Sequence, residues 1–302
     1  MRVPVCLDAM QLLADDLYDL VGYCEATDSI AVRTEAGIHL RPVSNLAEQG
    51  SALAAGSRAA DFDRGLIMSI TGRMLGRVNK PGEFQIQDLS STPAESVFQE
   101  AAPLEKLAAV SDDGRTLLFV ERDYPDLKAV IVGRDEDGLR TKDLRFKDEG
   151  YLASATFSPD CKFLLIASSS GMFTLIDLAT MWLGPEAGKS IFQAEYGTEI
   201  HHYTISSLAV SRDSRFAGVM TIYGLLSVFD LSSVPEYSYI ELPEDKSGRG
   251  HLALAPDGRE IAFGGLDDLI QIWEIQDGEV CDQPVVLNQH TGSICQLRYS
   301  PD

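Results

Sequence analysis

The segment ATFSPDCKFLLIASSSGMFTLIDLAT, Ala155 to Thr180, decides the fold. It holds three apolar runs separated by two turn signals. Ser158-Pro159-Asp160 parts the first run from the second, and Ser168-Ser169-Ser170-Gly171 parts the second from the third. Proline presets φ for a turn, short Ser and Asp side chains bond their own backbone, and glycine opens left-handed φ. The runs are too short for helices, are rich in Phe, Leu and Ile, and alternate over a few residues, as strands do. The third run closes on an acid, Asp177. Three strands joined by tight turns make an antiparallel meander.

The pattern recurs. LAVSRDSRFAGVMTIYGLLSVFDLSS runs from Leu208 to Ser233, and LALAPDGREIAFGGLDDLIQIWEIQDG runs from Leu252 to Gly278. Asp160, Asp213 and Asp257 mark the first turn. Asp177, Asp230 and Glu274 close the third strand, 17 residues later in every copy. Successive turn aspartates are 53 and then 44 residues apart. A body of constant length with variable connectors is how cores and loops divide their tolerance to insertion.

Upstream copies are weaker. MSITGRMLGRVNKPGEFQIQDLSS begins at Met68, with Thr71-Gly72 at the turn and Asp88 as the closing acid. AAVSDDGRTLLFVERDYPDLKAVIVGR begins at Ala108, with Asp113-Gly114 at the turn and a longer second connection around Tyr124-Pro125. GYCEATDSIAVRTEAGIHLRPVS turns near Thr27-Asp28, and a last turn opens at Ser300-Pro301-Asp302. Each body needs a fourth strand from its connector, for which Ser190–Ala194, Ser238–Leu242 and Val285–Leu287 are candidates. Four short strands at this period are the unit of a β-propeller. A lone sheet of this kind leaves apolar faces bare, and sheets stacked about an axis cover them and shield their edges.

These residues resemble the WD-repeat β-propeller family, whose motif runs Gly-His, strand, Ser-Pro-Asp-Gly, strand, Asp-containing turn, and a strand ending Trp-Asp. LDDLIQIWEI (Leu266 to Ile275) carries Asp267, Asp268 and Trp273. His201 lies 12 residues before Asp213, and His290 lies 12 before Asp302, at the motif's histidine position. Ile176 and Phe229 stand where the motif has Trp, and no histidine precedes Asp160 or Asp257 at that spacing. The resemblance implies an all-β propeller of four-stranded blades: six near-complete blades, at 17–58, 59–101, 102–148, 149–200, 201–246 and 247–289, and part of a seventh at 290–302. It further implies closure of the last blade by an N-terminal strand, read here as residues 2–8. On this expectation two strands of that blade are missing and the chain is a fragment of a longer, bacterial-type protein.

Composition fits a single folded body and narrows its partners. The 302 residues are 45% hydrophobic and carry a net charge of -21. An acidic surface repels phosphate backbones and disfavours nucleic acid. The five cysteines, Cys6, Cys24, Cys161, Cys281 and Cys295, form no CxxC pair. They predict neither a disulfide framework nor a zinc site, and they fit a reducing cytoplasm. No apolar run reaches the length of a membrane span, and Asp8, Asp15 and Asp16 break the N-terminal segment as a secretory signal.

Three stretches mimic chemistry. LGPEAGKS (Leu183 to Ser190) places its first glycine one residue too close to Gly188 for a phosphate-binding loop, and it follows a strand without opening a helix. His201-His202 has no third ligand at metal-site spacing. RDEDG (Arg134 to Gly138) lacks the length of a calcium loop and reads as a solvated hairpin turn. No catalytic residue, cofactor or metal is expected.

The resemblance implies a non-catalytic platform for binding other proteins, through the face that carries the connections between second and third strands. Tyr124, Met172, Tyr223 and Leu266 fall there and are its candidate anchors, since aromatic and Met side chains dominate such contacts. His201, Asp213, Asp257, Asp267, Trp273 and His290 are read as structural positions of the repeat. Two alternatives stay open: a lactonase-like or other hydrolase with its site at the central channel, and a structural support for an adjoining effector domain.

Overall fold

Six antiparallel sheets account for nearly all the strands of the computed structural model. It describes residues 17–34, 37–45, 52–55, 66–80, 83–90, 95–101, 104, 106–123, 126–136, 138–146, 151–181, 192–195, 197–198, 201–202, 204–222, 225–232, 237–241, 250–265, 268–276, 279–281, 283–288, 290, 292, 294 and 297–299. The first sheet is β1 (Leu17–Cys24), β2 (Ser29–Thr34), β3 (Gly37–Pro42) and β4 (Ala52–Ala55). The second is β5 (Leu66–Met68), β6 (Met74–Lys80), β7 (Glu83–Asp88) and β8 (Glu95–Ala101). The third is β9 (Lys106–Val110), β10 (Thr116–Asp123), β11 (Asp126–Asp135) and β12 (Gly138–Phe146). The fourth is β13 (Leu152–Phe157), β14 (Phe163–Ser168), β15 (Met172–Asp177) and β16 (Phe192–Glu195). A helical turn, α1 (Leu178–Met181), follows β15, and a two-residue hairpin, β17 (Gly197–Thr198) with β18 (His201–His202), follows β16. The fifth sheet is β19 (Ile205–Val210), β20 (Phe216–Thr221), β21 (Leu225–Asp230) and β22 (Tyr237–Glu241). The sixth is β23 (His251–Leu254), β24 (Glu260–Gly264) and β25 (Ile270–Gln276). Its fourth position is shared by β26 (Glu279–Val280) and β27 (Val285–Leu287), which both pair with β25.

The turn between first and second strands is one device used in all six sheets, in the first as Asp28 N to Glu25 O with Asp28 at φ 44°. Amide to carbonyl bonds Gly72–Ser69, Gly114–Ser111, Cys161–Ser158, Ser214–Ser211 and Gly258–Ala255 close it in the others. The residue donating each of these amides has positive φ: Gly72 73°, Gly114 68°, Cys161 58°, Ser214 60°, Gly258 68°. A turn followed by one left-handed residue is a common hairpin connection that preserves strand twist. Three copies add a side-chain lock. Ser111, Ser158 and Ser211 Oγ donate to Asp113, Asp160 and Asp213 Oδ1 at 2.6, 2.7 and 2.5 Å. The same hydroxyls accept the amides of Thr116, Phe163 and Phe216.

The constant 17-residue offset has a backbone cause. The residue two after the turn aspartate position immediately precedes the second strand, and its carbonyl accepts an amide 16 residues on: Leu89 to Arg73, Leu178 to Lys162, Leu231 to Arg215 and Ile275 to Arg259. In the third sheet the bond runs from Arg134 to Arg115, three residues longer, because β10 and β11 are eight and ten residues long about a two-residue connection, where the sequence predicts a longer connection around Tyr124-Pro125. Arg73 and Arg215 reinforce this register by pairing with the closing acids Asp88 and Asp230 at 2.9 and 3.1 Å.

The chain divides into two compact units, essentially between Arg145 and Phe146. In the first, apolar positions of neighbouring sheets interleave. Ile38 and Leu40 pack with Leu75 and Leu89, and Phe84 and Ile86 with Leu107 and Phe119. The Phe84 and Phe119 rings meet edge to face at 5.0 Å. In the second, Phe173 stacks on Phe229 at 4.8 Å, and Leu226 and Val228 pack with Phe263, Trp273 and Ile275. Ile294, Leu297 and Tyr299 cover the other side of the sixth sheet, against Ala253, Ala262 and Ile270. Each such fully buried Leu, Ile or Phe contributes about 1.5–3 kcal/mol.

Candidate interaction site

Within each unit the first turns of consecutive sheets are hydrogen-bonded into a rim. In the first unit Glu25 N donates to Thr71 O at 3.1 Å, and Thr71 N and Oγ1 donate to Asp112 Oδ1 at 3.2 and 2.8 Å. Gly72 is required there, because a Cβ would lie 1.8 Å from Tyr23 O. In the second unit Asp160 N donates to Ser214 Oγ at 2.9 Å, and Asp213 N to Pro256 O at 3.1 Å. Asp213 and Asp257 Oδ1 accept the amides of Arg215 and Arg259.

The electrostatics of this rim are local. Burial pushes the Asp160 carboxyl up, but the Ser158 hydroxyl and Lys162 outweigh it and hold it below its ordinary range. Asp88 and Asp230 follow the same balance, with Arg73 and Ser90 on one and Ser232 and Arg215 on the other. Asp112 goes the other way: burial lifts it above the usual carboxylate range despite its bonds to Ser69 and Thr71.

The opposite ends of the second strands carry the connections to the third strands. Their starts are fixed by hydroxyls at the ends of β14 and β20, both fully buried. Ser168 Oγ accepts Met172 N at 3.1 Å and bonds Ser170 Oγ at 2.7 Å, and Thr221 Oγ1 accepts Leu225 N at 3.1 Å. Connections of three residues, 169–171 and 222–224, leave these fixed points, and one of five, 265–269, follows β24. Asp268 stands in the last one with a φ of 53°.

Of the four expected anchors, Met172 alone is described. It is the first residue of β15, not part of the connection, and only 6% exposed, so it packs in the sheet and offers no accessible anchor. Tyr124, Tyr223, Leu266 and the structural Asp267 lie outside the described residues, as do LGPEAGKS and residues 2–8. The His201 backbone pairs with Thr198 in β18, and His290 is half-buried. Trp273 is 6% exposed on the side of β25 that packs against the fifth sheet, and its Nε1 has no partner among the described residues. The RDEDG stretch joins β11 to β12. Sequence reading missed Ser111, Ser158, Ser211 and Ser214, although the Ser-x-Asp spacing of the first three was there to find. Among the described residues, no group of three or more His, Cys, Asp or Glu side chains is placed to hold a metal ion, and no helix is long and apolar enough to cross a membrane.

No protein-family profile matches the chain. A 51-residue stretch is 41% identical to Actin-interacting protein 1-2 of Arabidopsis thaliana, covering 17% of this chain and 8% of that protein. The structure is similar to the β-propeller domain of Cps50 (Swd1) from Myceliophteria thermophila, with a TM-score of 0.62 over 95% of this chain and 92% of that one, at 13% sequence identity. The chain therefore has the β-propeller fold, and at this identity the likeness speaks to fold alone.

Proposed function

We propose that the chain is a non-catalytic protein–protein interaction scaffold on a WD-repeat-like β-propeller, acting in a reducing cytoplasm. The observation that carries this reading is the anchoring of successive connections at Ser168 and Thr221. Buried hydroxyls fix these two three-residue connections to their sheets, while the connections differ in residue type. A fixed frame bearing variable short loops recognises protein surfaces without a large ordering cost. The face so defined carries Tyr223 and Leu266 as anchors in the second unit, with Tyr124 as a further one and Met172 as packing beneath. The stretch of likeness to a protein named for interacting with actin supports a binding role and does not name this chain's partner. The free Cys24 and Cys281 support the compartment. Affinity capture with the intact chain, repeated with Tyr124→Ala, Tyr223→Ala and Leu266→Ala, tests the face. Loss of captured proteins at unchanged thermal stability is expected, and an unchanged set of partners overturns the assignment.

A further inference from the structure

Among the described residues the sixth sheet ends on an open edge. β27 pairs with β25 through Ile272–Val285, Gln271–Val286 and Ile270–Leu287, and among the described residues no further strand pairs with it. Val285 and Val286 are each 49% exposed. As neighbours on a strand they project to opposite sides of the sheet. An edge presents unpaired N–H and C=O groups, and proteins blunt such edges with charge, proline or brevity. Pro284 and the short length of β27 supply two of these devices, yet the strand itself reads Val-Val-Leu, without a charge.

The surroundings are acidic. Between His251 and Asn288 the sequence has eight acidic residues and one basic residue, Arg259. Glu260 and Glu274 are direct cross-strand partners. Glu274 shares a face with Ile272, and hence with Val285. Like charges directly opposite one another oppose pairing. A second copy of the chain at this edge would bring the same carboxylates together, on top of a net charge of -21 per chain. A cationic strand instead brings the opposite sign to the face of Glu274, while its apolar residues, alternating to the other face, cover Val286.

We propose that the β27 edge takes up, by strand addition, an extended segment of another protein in which apolar residues alternate with Lys or Arg. Main-chain bonds to the edge give affinity and alternate side chains give selectivity, as in other strand-addition complexes. This surface is distinct from the connections bearing Tyr223 and Leu266 and does not rest on their role.

The probe is a fluorescent, end-capped Lys-Val-Lys-Val-Lys-Val-Lys peptide, titrated into the intact chain at about physiological salt, where exposed charges are screened beyond ~8 Å. Its control has the same charge, with two of the valines replaced by proline, which removes ladder donors. The alternating peptide is expected to bind at least about tenfold more tightly than the control, a difference of about 1.4 kcal/mol. The double variant Val285→Lys/Val286→Lys, at half-exposed positions and checked by its melting curve, is expected to lose that binding, while Tyr223→Ala keeps it. Absence of binding, equal binding of the proline control, or insensitivity to the double variant each overturns the proposal. So does a dimer in sedimentation velocity that the double variant abolishes, since a second copy would then own the edge.

Discussion

Ser214 Oγ accepts the amide of Asp160 at 2.9 Å across 54 residues of sequence, from a backbone in the left-handed region. Cys161 holds the equivalent left-handed position in the preceding sheet, with φ 58°, and its thiol donates weakly to Pro159 O at 3.7 Å. An L-residue there costs about 1–2 kcal/mol relative to an unstrained conformation, and glycine does not. Cys161→Gly is therefore expected to stabilise by about 1 kcal/mol, partly offset by greater freedom of the unfolded chain. Ser214→Gly removes the same strain but also the bond between sheets, so it is expected to be neutral or destabilising. Urea melts of the two variants check the contrast, and equal gains from both would show that the Ser214 bond contributes nothing.

The serine lock predicts a second pair. Ser211 is fully buried, donates to Asp213 and accepts Phe216 N, so Ser211→Ala leaves the buried Phe216 amide without that acceptor. A cost of about 1–3 kcal/mol is expected. The sixth sheet has Ala255 at that place, 2% exposed, beside an Asp257 that bonds Arg259 N without a serine donor. Ala255→Ser restores both partners and is expected to add about 0.5–1 kcal/mol. Thermal unfolding decides it: a lower melting temperature for Ala255→Ser would mean that the tight packing against Ile294 and Ile270 outweighs the new bonds.

How much was legible follows from range. The second and third strands and their antiparallel pairing follow from alternation and turn chemistry, both local signals. The fourth strands are edge elements with weak apolar demand, and β16 and β22 start within two residues of their expected positions. β26 and the hairpin of β17 and β18 are two residues per strand, too short for any periodicity to announce them. Met172 misled because an apolar residue after Gly171 reads equally as loop anchor or strand start, and the register with Glu195 makes it strand. The rim bonds, Asp160 to Ser214 and Thr71 to Asp112, join residues 54 and 41 apart, and no local pattern encodes them.

Aromatic packing between the fourth, fifth and sixth sheets sets the third prediction. Phe229 and Trp273 occupy the same register, one residue before the closing acid. Phe229 is 1% exposed and stacked on Phe173, so Phe229→Ala is expected to cost about 3–5 kcal/mol. The Trp273 indole N–H has no partner among the described residues, so its contribution is packing. Trp273→Phe is expected to cost below about 1.5 kcal/mol, against about 3–5 kcal/mol for Trp273→Ala. Denaturant midpoints at constant m-value measure all three. A Trp273→Phe loss as large as that of Trp273→Ala would reveal a hydrogen bond to the indole.

The last prediction concerns pH and rests on Asp112. Its Oδ1 accepts from Thr71 N and Oγ1, its Oδ2 has no partner among the described residues, and it is 9% exposed. Burial raises its carboxyl above the usual aspartate range. The folded state then binds the Asp112 proton more tightly than the unfolded state does. Stability from this group is thus full below the unfolded value and falls as pH rises through the folded one. Asp88, Asp160 and Asp230, held low, act oppositely and withdraw stability as pH drops below about 4. Asp112→Asn keeps an oxygen for Thr71 and removes the buried charge, so it is expected to stabilise by about 1 kcal/mol at pH 7 and to lose that advantage near pH 3. Melting temperatures of both proteins across that range test it. An advantage that persists undiminished at pH 3 would show that the charge of Asp112 is not what the fold resists.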